Sequence, residues 1–180
     1  MKGRIFTRRA MVALLIALAS IAWPYGQIVS AQPTLASEGV DEYDHCITGP
    51  SKPMQCFDTE AEALYVASGG RIQLAPGETS RSLSDKQMLG DGDAVSVQAT
   101  LYEDVNYGGS TLTIYADGCI GWNNISGGWN DRVSSVSTYG CDIILYENYN
   151  KVGPSLYINY PGTSWVGSSM NDKASSWKLP

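Results

Sequence analysis

From Ala94 to the C-terminus, apolar and polar residues alternate in short runs, each closed by Gly, Asn or Asp: Val95–Leu101, Ser110–Tyr115, Ser134–Tyr139, Asp142–Tyr146 and Ser155–Asn159. A period of two puts alternate side chains on opposite faces of a strand, and frequent turn signals keep the strands short. The pattern predicts a sandwich or barrel over 94–180. Upstream the pattern changes. Residues 32–44 have no apolar period and predict a flexible segment. In 45–75, Thr59-Glu-Ala-Glu62 has the spacing of a capping box, Ala61, Leu64 and Tyr65 share one helical face, and Gly69-Gly70 ends it. A brief helix over about 59–68 is expected, followed by an extended piece over 71–75. Residues 76–93, rich in Gly, Ser and Asp, read as a linker.

The strand region is duplicated. Leu101-Tyr-Glu-Asp-Val-Asn-Tyr-Gly-Gly109 returns 44 residues later as Leu145-Tyr-Glu-Asn-Tyr-Asn-Lys-Val-Gly153, and the same offset carries Leu112 onto Leu156, Ile114 onto Ile158 and Gly118 onto Gly162. After a shortening of three residues, Trp129-Asn-Asp-Arg-Val-Ser-Ser135 falls on Met170-Asn-Asp-Lys-Ala-Ser-Ser176. Two copies of one supersecondary unit imply two Greek keys that complete a core between them, about 94–138 and 139–180.

The first copy, Tyr102, four residues, Tyr107, one residue, Gly109, resembles the folded-hairpin signature of βγ-crystallins. Asn130-Asp-Arg-Val-Ser-Ser135 and Asn171-Asp-Lys-Ala-Ser-Ser176 resemble that family's calcium motif. The resemblance covers roughly 95–180 and implies an all-β, double Greek-key sandwich there; the residues upstream are expected to form a small, disulfide-braced, helix-containing extension. One departure is Lys151, which stands where the family usually has an aromatic, with Tyr149 two places earlier. Independently of the family, a hairpin folded back on its sheet needs positive φ at its bend, which glycine adopts without steric cost, so Gly109 and Gly153 read as structural. Tyr102 and Tyr146 are expected to cover the folded backbone.

Calcium is a hard cation that takes carboxylate, carbonyl, hydroxyl and water oxygens. In the family two such loops lie side by side, and each ion is clamped by oxygens of both loops and a backbone carbonyl from the opposite hairpin. The resemblance therefore assigns to two Ca²⁺ ions Asp131 and Ser134 with Asn171 and Asp172, Ser175 with Asn130, and the hairpin positions Glu103 and Glu147. Ser135 and Ser176 are similar to the family's structural serines and receive no metal. The plainer reading, in which Asn-Asp only makes a turn and Ser caps a strand, suits a single loop better than a duplicated pair. Arg132 and Lys173 bring positive charge close to both loops, so weak sites are expected, with dissociation constants of roughly 10⁻⁵ to 10⁻³ M.

Charge and cysteines narrow the setting. The basic stretch Met1–Arg9 runs into the apolar block Ala10–Ala19, which predicts a signal peptide over 1–31, cleaved after Val29-Ser-Ala31. Its removal leaves 8 of the 12 basic residues against all 18 acidic ones, a formal charge of −10. With neither a basic run nor a basic stripe, the chain is not expected to bind nucleic acid, and no membrane contact is expected after cleavage. Four cysteines in an exported chain read as two disulfides. Of three possible pairings, Cys46 with Cys56 and Cys119 with Cys141 is preferred because each closes a loop within one segment. A zinc site is disfavoured by the wide Cys46 to Cys56 spacing and by His45 being the single histidine.

Trp122, Trp129, Trp165 and Trp177 could form a sugar-stacking platform, but their places in the repeats favour core or edge roles. A catalytic relay would have to use His45, beside a cysteine expected in a disulfide, and no Gly-x-Ser-x-Gly is present, so no enzyme is expected. The sequence thus points to a secreted, extracellular, bacterial, non-enzymatic protein whose fold is stabilised by calcium. The alternative, also by resemblance, is a secreted inhibitor of metallopeptidases with the same fold, whose partner would be a secreted peptidase.

Overall fold

The structure, a computed structural model, describes residues 45–90 and 95–180. The expected signal peptide and the segment 32–44 lie outside the described residues. Ahead of the repeats come β1 (His45–Thr48), β2 (Gln55–Phe57), α1 (Glu60–Ala67) and α2 (Asp85–Leu89). The first repeat forms β3 (Ser96–Tyr102), β4 (Thr111–Ala116), β5 (Gly121–Asn124) and β6 (Ser135–Thr138). The second forms β7 (Ile143–Asn148), β8 (Val152–Ile158), β9 (Gly162–Thr163) and β10 (Ser176–Leu179).

One sheet has the order β2-β1-β4-β3-β6-β9 and the other β5-β10-β7-β8. Each repeat gives its third strand to the sheet of its partner: β5 pairs with β10, and β9 with β6. Alternate residues of the central strands, among them Leu101, Leu112, Ile114, Val136, Ile143 and Leu145, join Trp129 and Trp177 in one buried core. This is the all-β double Greek key that the repeat predicts. Both disulfides, Cys46–Cys56 and Cys119–Cys141, join the expected partners, the first between directly opposed residues of β1 and β2.

The extension is woven into the first sheet, for β1 runs parallel to β4 in the register His45 to Thr111 through Thr48 to Ile114. α1 starts where expected, with the Thr59 hydroxyl accepting from the Glu62 amide. Residues 71–75 make no strand, although Ile72 is buried. The stretch read as a linker holds a 3-10 turn (Ser80–Ser82) and α2, whose Ser84 and Gln87 form a reciprocal capping box. α1 and α2 bury Leu64, Ala67 and Met88 with Ile47, Ile72, Val97 and Tyr139 in a second core. Every residue of β3 is consequently buried, on both faces of the sheet.

Under this cover Tyr139 donates to the Thr100 hydroxyl, and the Tyr102 hydroxyl meets that of Ser80, which donates to Glu60. Burial, then the neighbouring Tyr102 hydroxyl, pushes the ionisation of Tyr139 far above the ordinary tyrosine range. Burial likewise raises Tyr102. A raised pKa gives stability that is complete below the unfolded value, near 10, and is lost as pH rises past it, because only the unfolded chain then releases the proton. Unfolding free energy measured by denaturant titration should fall above about pH 10, with Tyr139 contributing ~1.4 kcal/mol per pH unit and Tyr102 adding in the same direction. In Tyr139→Phe that slope should be shallower by one proton, and an unchanged slope would show that Tyr139 ionises in the folded state.

Candidate functional site

The two hairpins, β3–β4 and β7–β8, fold over in the same way. Asn106 (φ 57, ψ 31) and Asn150 (φ 60, ψ 28) hold equivalent left-handed conformations, and so do Tyr107 and Lys151 after them. At the bend Gly109 has φ +75, and a Cβ there would stand 2.8 Å from an Asp104 carboxylate oxygen; Gly153 has φ +85 and is equally hemmed in by Asn148. Ser135 locks the first bend: its hydroxyl donates to the Asp104 carbonyl (2.6 Å) and accepts from the Tyr107 amide (3.0 Å). Ser176 makes the same pair with the Asn148 carbonyl (2.6 Å) and the Lys151 amide (3.1 Å). Both serines are fully buried.

Lys151 leaves the second hairpin's backbone intact but not its ring contact. In the first hairpin Tyr102 and Tyr107 meet edge to face at 5.7 Å, and the Arg81 guanidinium lies 3.9 Å above Tyr107. In the second, the Lys151 ammonium sits 4.2 Å over Trp122, and Tyr146 is only half-buried. The serine bonds to the backbone, which do not depend on the side chain at this position, account for the conserved bend.

The two Asn-Asp loops face each other across an approximate twofold axis. The Asp131 amide donates to the Ala174 carbonyl and the Asp172 amide to the Val133 carbonyl, both at 3.2 Å. Both aspartates take positive φ, 62 and 53. The side chains then cross: the Ser134 hydroxyl is 3.4 Å from Asp172 Oδ1, and the Ser175 hydroxyl 3.3 Å from Asp131 Oδ1. Each carboxylate's other oxygen accepts from the preceding amide side chain, Asn130 at 2.7 Å and Asn171 at 2.6 Å. The Ser134 amide bonds the Tyr102 carbonyl and the Ser175 amide that of Tyr146, so the next hairpin residues, Glu103 and Glu147, lie beside the loops.

The residues thereby sort into two mixed sets, Ser134 with Asp172 and Asn171 near Glu103, and Ser175 with Asp131 and Asn130 near Glu147. Each set carries one loop carboxylate. Asn130 Oδ1 is buried and has no hydrogen-bond partner, an oxygen that the fold leaves to be satisfied by something else. Among the described residues no three His, Cys, Asp or Glu side chains gather into one group. The donor set is therefore one of hydroxyl, amide and single carboxylate oxygens, which suits a hard cation and not zinc.

Glu103 has a task that the repeat pattern does not reveal. Its carboxylate pairs with Arg132 at 2.7 Å, and Arg132 also donates to the Gly128 carbonyl. Partial burial works to raise the Glu103 pKa, but bonds from Ser110 and Arg132 outweigh it and hold the carboxyl below its ordinary range. The side chain of Glu103 is thus committed to Arg132 and is not aimed at the Asn-Asp loops. Lys173 and Glu147, the counterparts in the second repeat, make no such pair among the described residues. No short-range sequence signal marks the Glu103–Arg132 contact, which spans 29 residues.

The four tryptophans among the described residues divide evenly. Trp129 and Trp177 are core residues, whereas Trp122 and Trp165 are exposed.

No protein-family model and no curated protein matches the chain. Among solved structures, a doubly substituted βγ-crystallin domain from Clostridium beijerinckii is 34% identical over 45% of this chain and 93% of that domain, with a TM-score of 0.40. A βγ-crystallin domain from Flavobacterium johnsoniae is 34% identical over 44% of this chain and 90% of the domain, with a TM-score of 0.38. With 34% of residues shared across 93% of the clostridial domain, and with a duplicated hairpin and a duplicated Asn-Asp-x-x-Ser-Ser loop in its own sequence, the chain belongs to the βγ-crystallin superfamily.

Proposed function

We propose that the protein is an exported, non-enzymatic calcium-binding module in which two Ca²⁺ ions brace the paired loops. The observation that carries this reading is the crossing of Ser134 to Asp172 and of Ser175 to Asp131, which puts oxygens of both loops into each set. Asp172, Ser134 and the backbone oxygen of Glu103 would serve one ion; Asp131, Ser175 and the backbone oxygen of Glu147 the other. Asn130 and Asn171 orient the carboxylates. A bound cation supplies charge that the crossed carboxylates lack in the free loops, and ties one repeat to the other. Export is supported by the two disulfides. No helix among the described residues is long and apolar enough to cross a membrane. The alternative of a metallopeptidase inhibitor draws no support from the related structures, and no feature of the described surface favours it.

One carboxylate per ion keeps affinity in the weak, extracellular range, with dissociation constants of roughly 10⁻⁵ to 10⁻³ M. Calcium in hundredfold excess over the dissociation constant should add ~2.7 kcal/mol of stability through preferential binding to the folded chain. Calorimetry should find two ions in the unaltered protein and one in either Asp131→Ala or Asp172→Ala, with a smaller calcium-induced rise in melting temperature. Absence of calcium heat at millimolar concentration, or isotherms untouched by both substitutions, would refute the assignment. An inhibition assay against a thermolysin-like enzyme, run with and without chelator, tests the alternative directly.

A further inference from the structure

The second repeat carries an aromatic groove that the calcium reading does not use. Tyr157, Tyr160 and Trp165 are 50%, 48% and 53% exposed. They rim a surface groove of about 410 Å³ whose lining includes Asn159 and no charged side chain. The two tyrosine rings are anchored through their hydroxyls, and the backbone that carries Trp165 is held by Thr163. The Tyr157 hydroxyl donates to Asp142 (2.6 Å), whose other oxygen accepts from the Tyr160 amide (2.8 Å), and the Tyr160 hydroxyl donates to Asp85 at the start of α2. Thr163 bonds both the carbonyl and the amide of Trp165. An exposed tyrosine without a function has no need of an anchor from a different segment of the chain, and anchoring in advance lowers the ordering cost of binding.

We infer that this groove binds a neutral saccharide, with pyranose rings lying on the aromatic faces. Concave sites with apolar walls and a few placed polar groups hold small ligands, and here three exposed aromatic side chains line the groove, whose ring faces would match the C–H face of a sugar. The Asn159 amide, which has no hydrogen-bond partner among the described residues, can both donate and accept, as paired sugar hydroxyls require. The uncharged lining disfavours ionic ligands. A proline-rich peptide is the other ligand that aromatic grooves take, but its carbonyls call for donors, and both tyrosine hydroxyls here are spent on carboxylates. The inference also gives α2 a role, since Asp85 positions Tyr160 from outside the repeats.

The test uses the full protein in EDTA, so that its outcome does not depend on calcium. Titration with cellohexaose, maltohexaose, laminarihexaose and chitohexaose, followed by tryptophan fluorescence and calorimetry, should find at least one that binds in the micromolar to millimolar range. Trp165→Ala should weaken that binding about tenfold or more without moving the melting temperature, because the ring is exposed. Tyr160→Phe keeps the ring face but loses the Asp85 anchor, and should weaken binding a few-fold. The inference is overturned if none of the four saccharides binds at millimolar concentration, if Trp165→Ala leaves the affinity unchanged, or if decaproline binds where the saccharides do not.

Discussion

Leu64→Ala should lower the free energy of unfolding by about 2–5 kcal/mol, as much as a truncation inside the repeats such as Leu145→Ala. Leu64 lies on α1 and is fully buried, packed in a cluster that includes Ile47 and Ile72 of the extension and Val97 and Tyr139 of the repeats. Its removal leaves a cavity whose walls belong to both parts of the chain. α1 rests on β1, β1 is hydrogen-bonded along four residues to β4, and Arg81 reaches across to the Ser137 hydroxyl at 2.8 Å. The extension and the first sheet should therefore melt together, in one transition shifted to lower denaturant with little change in slope. Val66→Ala is the control, being on the same helix but exposed, and should change stability by about 0.5 kcal/mol or less. A Leu64→Ala variant that loses helix signal at low denaturant while the repeats melt at the original midpoint would show that the two parts unfold separately.

Ser135→Ala and Ser176→Ala should each cost about 1–3 kcal/mol in the absence of calcium. Each serine makes two bonds to hairpin backbone from a fully buried position, and alanine leaves the Tyr107 or Lys151 amide without its acceptor. The hydroxyls of the neighbours Ser134 and Ser175 bond the opposing aspartate, at 3.4 and 3.3 Å, the long end of hydrogen-bond distance, while their backbone bonds do not depend on the side chain. Ser134→Ala and Ser175→Ala should therefore leave the calcium-free melting temperature nearly unchanged and weaken calcium binding. Thermal melts of all four variants, with calcium and with chelator, separate the two roles. If all four melt alike and none alters the calcium isotherm, the loops are turns and nothing more.

What could be read from the sequence was local or repeated. The Tyr-to-Gly hairpin spacing and the Asn-Asp-x-x-Ser-Ser run each lie within a few residues, and their duplication at one offset told both that the fold is double and that the loops form a pair. The strands β5, β9 and β10 escaped because Gly121–Asn124, Gly162–Thr163 and Ser176–Leu179 are too short for alternation to register. α2 escaped for the same reason, although Ser84-Asp-Lys-Gln87 is a capping box; five residues give no helical period. The parallel pairing of β1 with β4 and the Glu103–Arg132 pair join residues far apart in the chain, and neither leaves a mark in any short window. Which serine faces which aspartate likewise depends on the twofold arrangement, a property of the assembled keys.

The pairing of β1 with β4 also makes the two sheets unequal at their margins. Without the extension, β4 would end the first sheet with a row of open amides and carbonyls, a template for another chain. β1 fills that row, and β2 beyond it is only three residues long and tethered by Cys46–Cys56. The matching strand of the second sheet, β8, has no such cover among the described residues and is exposed over most of its seven residues. Pro154 lies within it, supplies no amide hydrogen, and interrupts the row that an incoming strand would have to follow. One margin is protected from edge-to-edge aggregation by added chain, and the other by a single imino acid.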